Sequence, residues 1–145
     1  IPLRLVGSEM CIRDRLRTGF AERQIESSFK GDLSGNWDGE RLAQVLANLL
    51  GNALHHGTRE APVRVDVDGT AADEVVVTVS NGGTIPPELL PHLFNPFRSG
   101  ARPAGGHHGL GLGLFIAQQI VLSHGGRINA ESRDDITRFC VALPR

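Results

Sequence analysis

From residue 38 onward the apolar residues change period along the chain. Leu42, Val45, Leu46, Leu49 and Ala53 recur at three- and four-residue steps and mark one face of a helix. Asp38 is a good N-cap in front of this run and Gly57 a good stop behind it. The period then falls to two. Val63-Arg64-Val65-Asp66-Val67 alternates like a half-buried strand, Asp68-Gly69 opens a turn, and Glu74 to Val79 reads as a more buried strand. Pro86 to Leu90 predicts a short helix with proline in its first turn. Leu112 to Ser123 is apolar nearly all round, which predicts a buried helix. Arg127 to Ser132 and Arg138 to Leu143 form a hairpin around Asp134-Asp135. Upstream, Leu16 to Arg23 reads as the end of a connecting helix. Gln24 to Phe29 reads as a first strand, followed by a turn through Asn36. Strands mixed with three main helices predict an α+β fold, a two-layer α/β sandwich with a mixed sheet.

Two stretches within this pattern carry chemistry. Gly109-Leu110-Gly111-Leu112-Gly113-Leu114 sets three alternating glycines against the first turn of an apolar helix. Glycine lets backbone approach a ligand closely, and a helix start offers free N–H groups and a positive dipole end, so the pair suits phosphate. The spacing fits neither the Walker loop nor the dinucleotide fingerprint. The second stretch is the helix after Asp38. At about 100° per residue, Arg41, Gln44, Asn48, Asn52 and His55 fall on one stripe beside the apolar face. A solvated helix flank accounts for any two such residues. Carboxamide oxygens can also ligate Mg²⁺, which keeps several waters and shares the rest of its shell with substrate phosphates.

The bulk properties narrow the field. A chain of 145 residues suits one domain with a proper core. A net charge of −1 with no basic run argues against nucleic acid as a partner. No apolar run is long enough to span a bilayer. Cys11 and Cys140 form no metal pattern or disulfide framework, which fits a reducing compartment. The histidine pairs His55-His56 and His107-His108 are adjacent, unlike zinc ligands at i, i+4. Glu9 to Arg15 resembles the translation of the mosaic-end sequence used in transposon-based library preparation. Residues 1–15 are therefore expected to be a non-native tail, with a genuine tail or linker as the other reading; either way they carry no function and native sequence is expected to be missing before them. Residues 16–22 would then end a connecting segment, and 23–145 would form the domain.

Four motifs in order resemble the ATP-binding catalytic domain of sensor histidine kinases, in the superfamily shared with gyrase, Hsp90 and MutL. Gln44 to Gly57 is similar to the N box. Ser80 to Pro86 is similar to the first glycine box, Leu93 to Arg98 to the F box of the ATP lid, and Gly109 to Leu114 to the second glycine box. His124-Gly125-Gly126 and Phe139 to Pro144 also read as kinase-like. The resemblance implies a Bergerat fold, with ATP between the helices and a lid running from Asn95 to His108.

It also implies roles for single residues. Asn52 would ligate Mg²⁺ and Asn48 lie close to the phosphates or the metal. His55 and His56 stand where the family often has a basic or aromatic residue, although for His56 a plain surface pair is an equal reading. Gln44 stands where ATPase relatives carry a glutamate, and a carboxamide cannot accept a proton at neutral pH. Asn81 replaces the aspartate of the first glycine box and would bond adenine, with Gly83 and Ile85 beside it. That loop is one residue short, and Ser80 is the other candidate for the aligned position. Phe94 and Phe97 are either core residues or anchors of the lid. Arg98 and Arg102 suit phosphate.

No histidine lies in the His-Glu/Asp-x-x-x-Pro setting that the family uses as phosphoacceptor. The expected function is therefore transfer of the γ-phosphoryl of Mg-ATP to a histidine on an upstream dimerisation domain. The whole protein would be a homodimer passing phosphate to a response regulator. The domain would be cytoplasmic, with membrane attachment of the whole protein left open. The alternatives are an anti-sigma-factor type serine kinase and a nucleotide-binding interaction module without catalysis.

Overall fold

The computed structural model describes residues 2–4, 25–58, 60–96 and 112–145. Its strands are β1 (Pro2–Arg4), β2 (Ile25–Gly31), β3 (Ser34–Asn36), β4 (Val63–Gly69), β5 (Glu74–Gly82), β6 (Arg127–Arg133) and β7 (Ile136–Pro144). Two α-helices accompany them, α1 (Gly39–His56) and α2 (Gly113–Ser123). The main sheet has the order β2-β4-β5-β7-β6. β2 and β4 are parallel, joined by a crossover through α1, and every other pairing is antiparallel. The mixed two-layer α+β architecture read from the sequence is the one observed.

Both helices cover one face of this sheet, and the core lies between the layers. Leu42, Val45, Leu46, Leu49, Leu50, Ala53 and Leu54 on α1 are buried against Val63, Val65, Val67, Val75, Val77, Val79, Phe139, Val141 and Leu143. The strand residues alternate at period two, so their polar neighbours line the open face of the sheet. There Arg64 bonds Asp66 at 3.1 Å and Lys30 pairs with Asp68 at 3.4 Å. In the turn after β4, the Thr70 hydroxyl and backbone N–H both donate to Asp68. With Lys30 nearby, they hold this exposed carboxyl below its ordinary range. Trp37 is buried below α1 and donates its indole N–H to the Pro144 carbonyl at 2.8 Å.

Two expectations change. Of three main helices, two are α-helical among the described residues. The third, expected at Pro86 to Leu90, is a 3₁₀ turn at Leu90–His92. Pro91 explains this, because it lacks the N–H that an α-helix begun at Pro86 would donate to the Pro87 carbonyl. α2 is not buried all round: Ala117, Ile120 and Val121 are buried, whereas Leu122 is 52% exposed. A two-layer sandwich covers only the sheet-facing side of such a helix. Residues Pro2–Arg4, read as part of a tail outside the fold, pair antiparallel with Ser34–Asn36. The expected end of a connecting helix at Leu16 to Arg23 lies outside the described residues.

Candidate nucleotide site

The two helices run antiparallel, and their contacts fix where the polar stripe of α1 meets the start of α2. At one end Asp38 caps α1, its Oδ1 accepting from the Arg41 N–H at 3.1 Å. The Asp38 backbone N–H donates to His124 Nε2 at the end of α2, at 3.1 Å. At the other end Asn48 Nδ2 donates to the Gly113 carbonyl at 3.1 Å. α2 starts at Gly113, and among the described residues no side chain caps its first-turn N–H groups. The second half of α1, carrying Asn52, His55 and His56, extends beyond that helix start.

α2 ends in a Schellman motif. The Gly126 N–H reaches the Val121 carbonyl, the Gly125 N–H reaches Leu122, and Gly125 takes φ +76°. This explains why the turn reads His-Gly-Gly.

The end of β5 closes the site from below. Core-facing positions of β5 run Val75, Val77, Val79 and then Asn81, while Ser80 points to the open face. Asn81 lies opposite Thr137 of β7, and the two are the buried polar residues of the described chain, 6% and 3% exposed. Asn81 Nδ2 donates to the Gly82 carbonyl at 2.8 Å, and among the described residues no donor meets Oδ1. A buried acceptor without a partner costs stability, so this oxygen is suited to a ligand donor. The Gly82 carbonyl also accepts from the Thr58 N–H at 3.1 Å, which brings the chain after α1 against the first glycine box. A Cβ on Gly83 would stand 3.9 Å from the His56 carbonyl oxygen, and Gly83 itself has φ +116°.

Most of the described candidates thus fall into two groups. Asn48 and Gly113 touch, flanked by Leu112 and Leu114. His56, Asn81, Gly83 and Ile85 gather at the end of β5, with Asn52 on the half of α1 that leads there. His55 and His56 are exposed, their rings edge-to-face at 4.7 Å. Gln44 is exposed, one turn back along α1 from the Asn48–Gly113 contact. Phe94 packs edge-to-face on Phe139, centroids 6.1 Å apart, so it is anchored on the core beside Val79. Phe97, Arg98, Arg102, Gly109, Leu110 and Gly111, and most of the expected lid, lie outside the described residues.

Sequence reasoning missed Thr137 and Ser132, which bond the glycine-box loop. One signal was available for Thr137: it occupies the inward position in the alternation Thr137, Phe139, Val141, Leu143, where a core residue is expected. A shallow hollow of about 350 Å³ on the open sheet face is lined by Ser28, Lys30, Arg64, Asp66 and Thr78. Its charged groups pair with one another and it is remote from these candidates.

Among the described residues no three His, Cys, Asp or Glu side chains group as a metal site.

Residues 37–145 match the family described as histidine kinase-, DNA gyrase B- and HSP90-like ATPase. The chain belongs to this family. Its described elements form the catalytic ATP-binding domain of the histidine kinase type. A bacteriophytochrome of Pseudomonas aeruginosa is 44% identical over 142 residues, 97% of this chain and 19% of that protein. Signal transduction histidine-protein kinase AfsQ2 of Streptomyces coelicolor is 46% identical over 96 residues, 66% of this chain and 17% of that protein. The chain therefore spans less than a fifth of either relative. Among solved structures, the catalytic domain of histidine kinase ThkA superposes with a TM-score of 0.86 at 26% identity, covering 99% of this chain and 96% of that one. ThkA in complex with the response regulator protein TrrA superposes at 0.82 and 25% identity, covering 99% of this chain and 41% of that one.

Proposed function

We propose that this kinase-type domain binds Mg-ATP and delivers its γ-phosphoryl group to a histidine on a separate dimerisation domain of the same protein. The observation that carries the reading is the Asn81–Thr137 pair. A buried carboxamide oxygen that meets no donor among the described residues, at the helix-covered end of the sheet, is suited to accept the exocyclic amino group of adenine. Asn48, Asn52 and the uncapped start of α2 would then face the phosphates, with N–H groups and the helix dipole offsetting their charge. Mg²⁺, held by Asn52 and the phosphates, would neutralise charge on the transferring group. Phosphoryl transfer is mainly positioning and charge neutralisation, and these groups provide both.

In this reading the whole protein is a homodimer through the upstream domain, with the catalytic domain in the cytoplasm. A response regulator receives the phosphate, as the solved ThkA–TrrA complex supports by analogy. None of the described helices is long and apolar enough to cross a membrane.

Calorimetric titration with ATP and GTP, each with and without Mg²⁺, tests the reading. ATP should bind in preference to GTP, and Mg²⁺ should tighten it. Absence of ATP binding would overturn the proposal.

A further inference from the structure

We infer that Ser132, on the edge strand β6, is a positioning residue for the purine end of the site, acting through a directed chain of hydroxyl hydrogen bonds. The inference rests on the adenine-binding reading of Asn81 and adds to it the device that holds the loop in place.

The Ile85 N–H donates to Ser132 Oγ at 2.8 Å, and Thr137 Oγ1 donates to the Gly83 carbonyl at 2.9 Å. The two hydroxyl oxygens are 3.2 Å apart. Each hydroxyl has one proton to give. The Thr137 proton is committed to Gly83, so the proton between the hydroxyls comes from Ser132. The chain therefore runs one way, from the Ile85 N–H through Ser132 and Thr137 to the Gly83 carbonyl. It begins and ends on one loop, two residues apart, and so clamps it. Hydrogen bonds linked in this sense polarise one another.

The clamp bears on Asn81 through the Gly82–Gly83 peptide. The carbonyl of that peptide accepts from Asn81 Nδ2, and its N–H donates to the Asp135 carbonyl at 2.8 Å. Gly83, at φ +116°, is free to turn unless the next peptide is held, and Thr137 holds it. Without Ser132, the Ile85 N–H and a lone pair of Thr137 lose their partner. The Gly83–Thr84 peptide then loosens, and the orientation of Asn81 Oδ1 is no longer fixed before ligand arrives. Preorganised acceptors bind more tightly because less freedom is lost on binding. Adenine and guanine differ at the atom this acceptor would meet, so discrimination should fall together with affinity.

The test measures ATP and GTP affinities for the chain with Ser132→Ala, Ser132→Thr and Thr137→Val, together with melting temperature. Ser132→Ala should weaken ATP about five-fold, with a smaller effect on GTP, so that the preference shrinks. Ser132→Thr should restore it, since it returns the hydroxyl. Thr137→Val, close in shape, breaks the chain at its other member and should shrink the preference as well. A lower melting temperature with the ATP-to-GTP ratio unchanged in either disrupting variant would overturn the inference while leaving the adenine reading intact. A wild-type chain that binds ATP without preferring it to GTP would overturn both.

Discussion

Asn81 and Thr137 face each other where β5 and β7 stop being apolar, and the consequences of that pair are local. Asn81→Ala should weaken ATP by about 1–2 kcal/mol, the scale of a lost buried hydrogen bond. The dependence of binding on Mg²⁺ should persist. Titration of wild type and variant at several Mg²⁺ concentrations checks both, and an unchanged ATP affinity would remove Asn81 from the purine site. The turn beyond Thr137 offers a separate test. Asp134 and Asp135 have φ of 53° and 62°, the left-handed pair of a two-residue hairpin, with no glycine in either place. Asp135 has a use there, since its Oδ1 accepts from the Thr84 hydroxyl at 3.0 Å. Asp134→Asn should therefore raise stability by about 0.5 kcal/mol, because asparagine suits this backbone better. Thermal denaturation would show it, with ATP affinity unaltered. At this scale the sequence singled out Asn81 through the resemblance of Ser80 to Pro86 to the first glycine box, with Ser80 as the other candidate. Ser132 was illegible, and Thr137 was legible only as a polar residue at an inward position of β7, because the bonds of both join a loop to a hairpin far along the chain.

Between elements, the antiparallel packing of α1 and α2 rests on two polar ties, one at each end of α2. His124 makes the first. Because the Asp38 N–H donates to Nε2, that nitrogen is unprotonated, and Nδ1 carries the proton toward the Ile120 carbonyl at 2.9 Å. One ring thus joins the end of α2 to the start of α1. His124→Ala should cost about 1 kcal/mol, with faster hydrogen exchange at the Asp38 and Arg41 amides than elsewhere in α1. Uniform loss of protection along α1 would instead mean that the helix has lost its packing as a whole. The other half of α1 serves the ligand. Asn52 is half-buried beside the core face, so Asn52→Ala should leave the fold intact while abolishing the Mg²⁺ dependence of ATP binding. An unchanged Mg²⁺ titration would place the metal on other groups. Periodicity made α1 and its polar stripe legible, with the Asp38 cap as its start. It overstated the burial of α2, because apolarity all round does not say on how many sides a helix is covered. It also could not separate an α-helix from the 3₁₀ turn at Leu90–His92, where the missing N–H of Pro91 decides.

For the molecule as a whole, the arrangement that would bind ATP lacks two parts that turnover requires. The polar stripe offers Gln44, Asn48 and Asn52, all carboxamides, and no carboxylate that could accept a proton from water. The histidines of the chain lie outside the sequence setting expected of a phosphoacceptor. This chain should therefore bind ATP, release phosphate slowly and take up no stable label from γ-labelled ATP. Supplying a matching dimerisation domain in trans should allow transfer to its histidine. That transfer should be weak, because the tether that would raise the local concentration of acceptor is absent. The purified chain, incubated with γ-labelled ATP and then with the added domain, decides the matter through two readings. Label that stays on the chain alone would indicate an independent kinase with its own acceptor. Rapid phosphate release without a partner would indicate an ATPase whose base lies elsewhere than on α1. Binding without either, followed by label on the added domain, is the outcome expected of a kinase domain that holds the donor and depends on another domain for the acceptor.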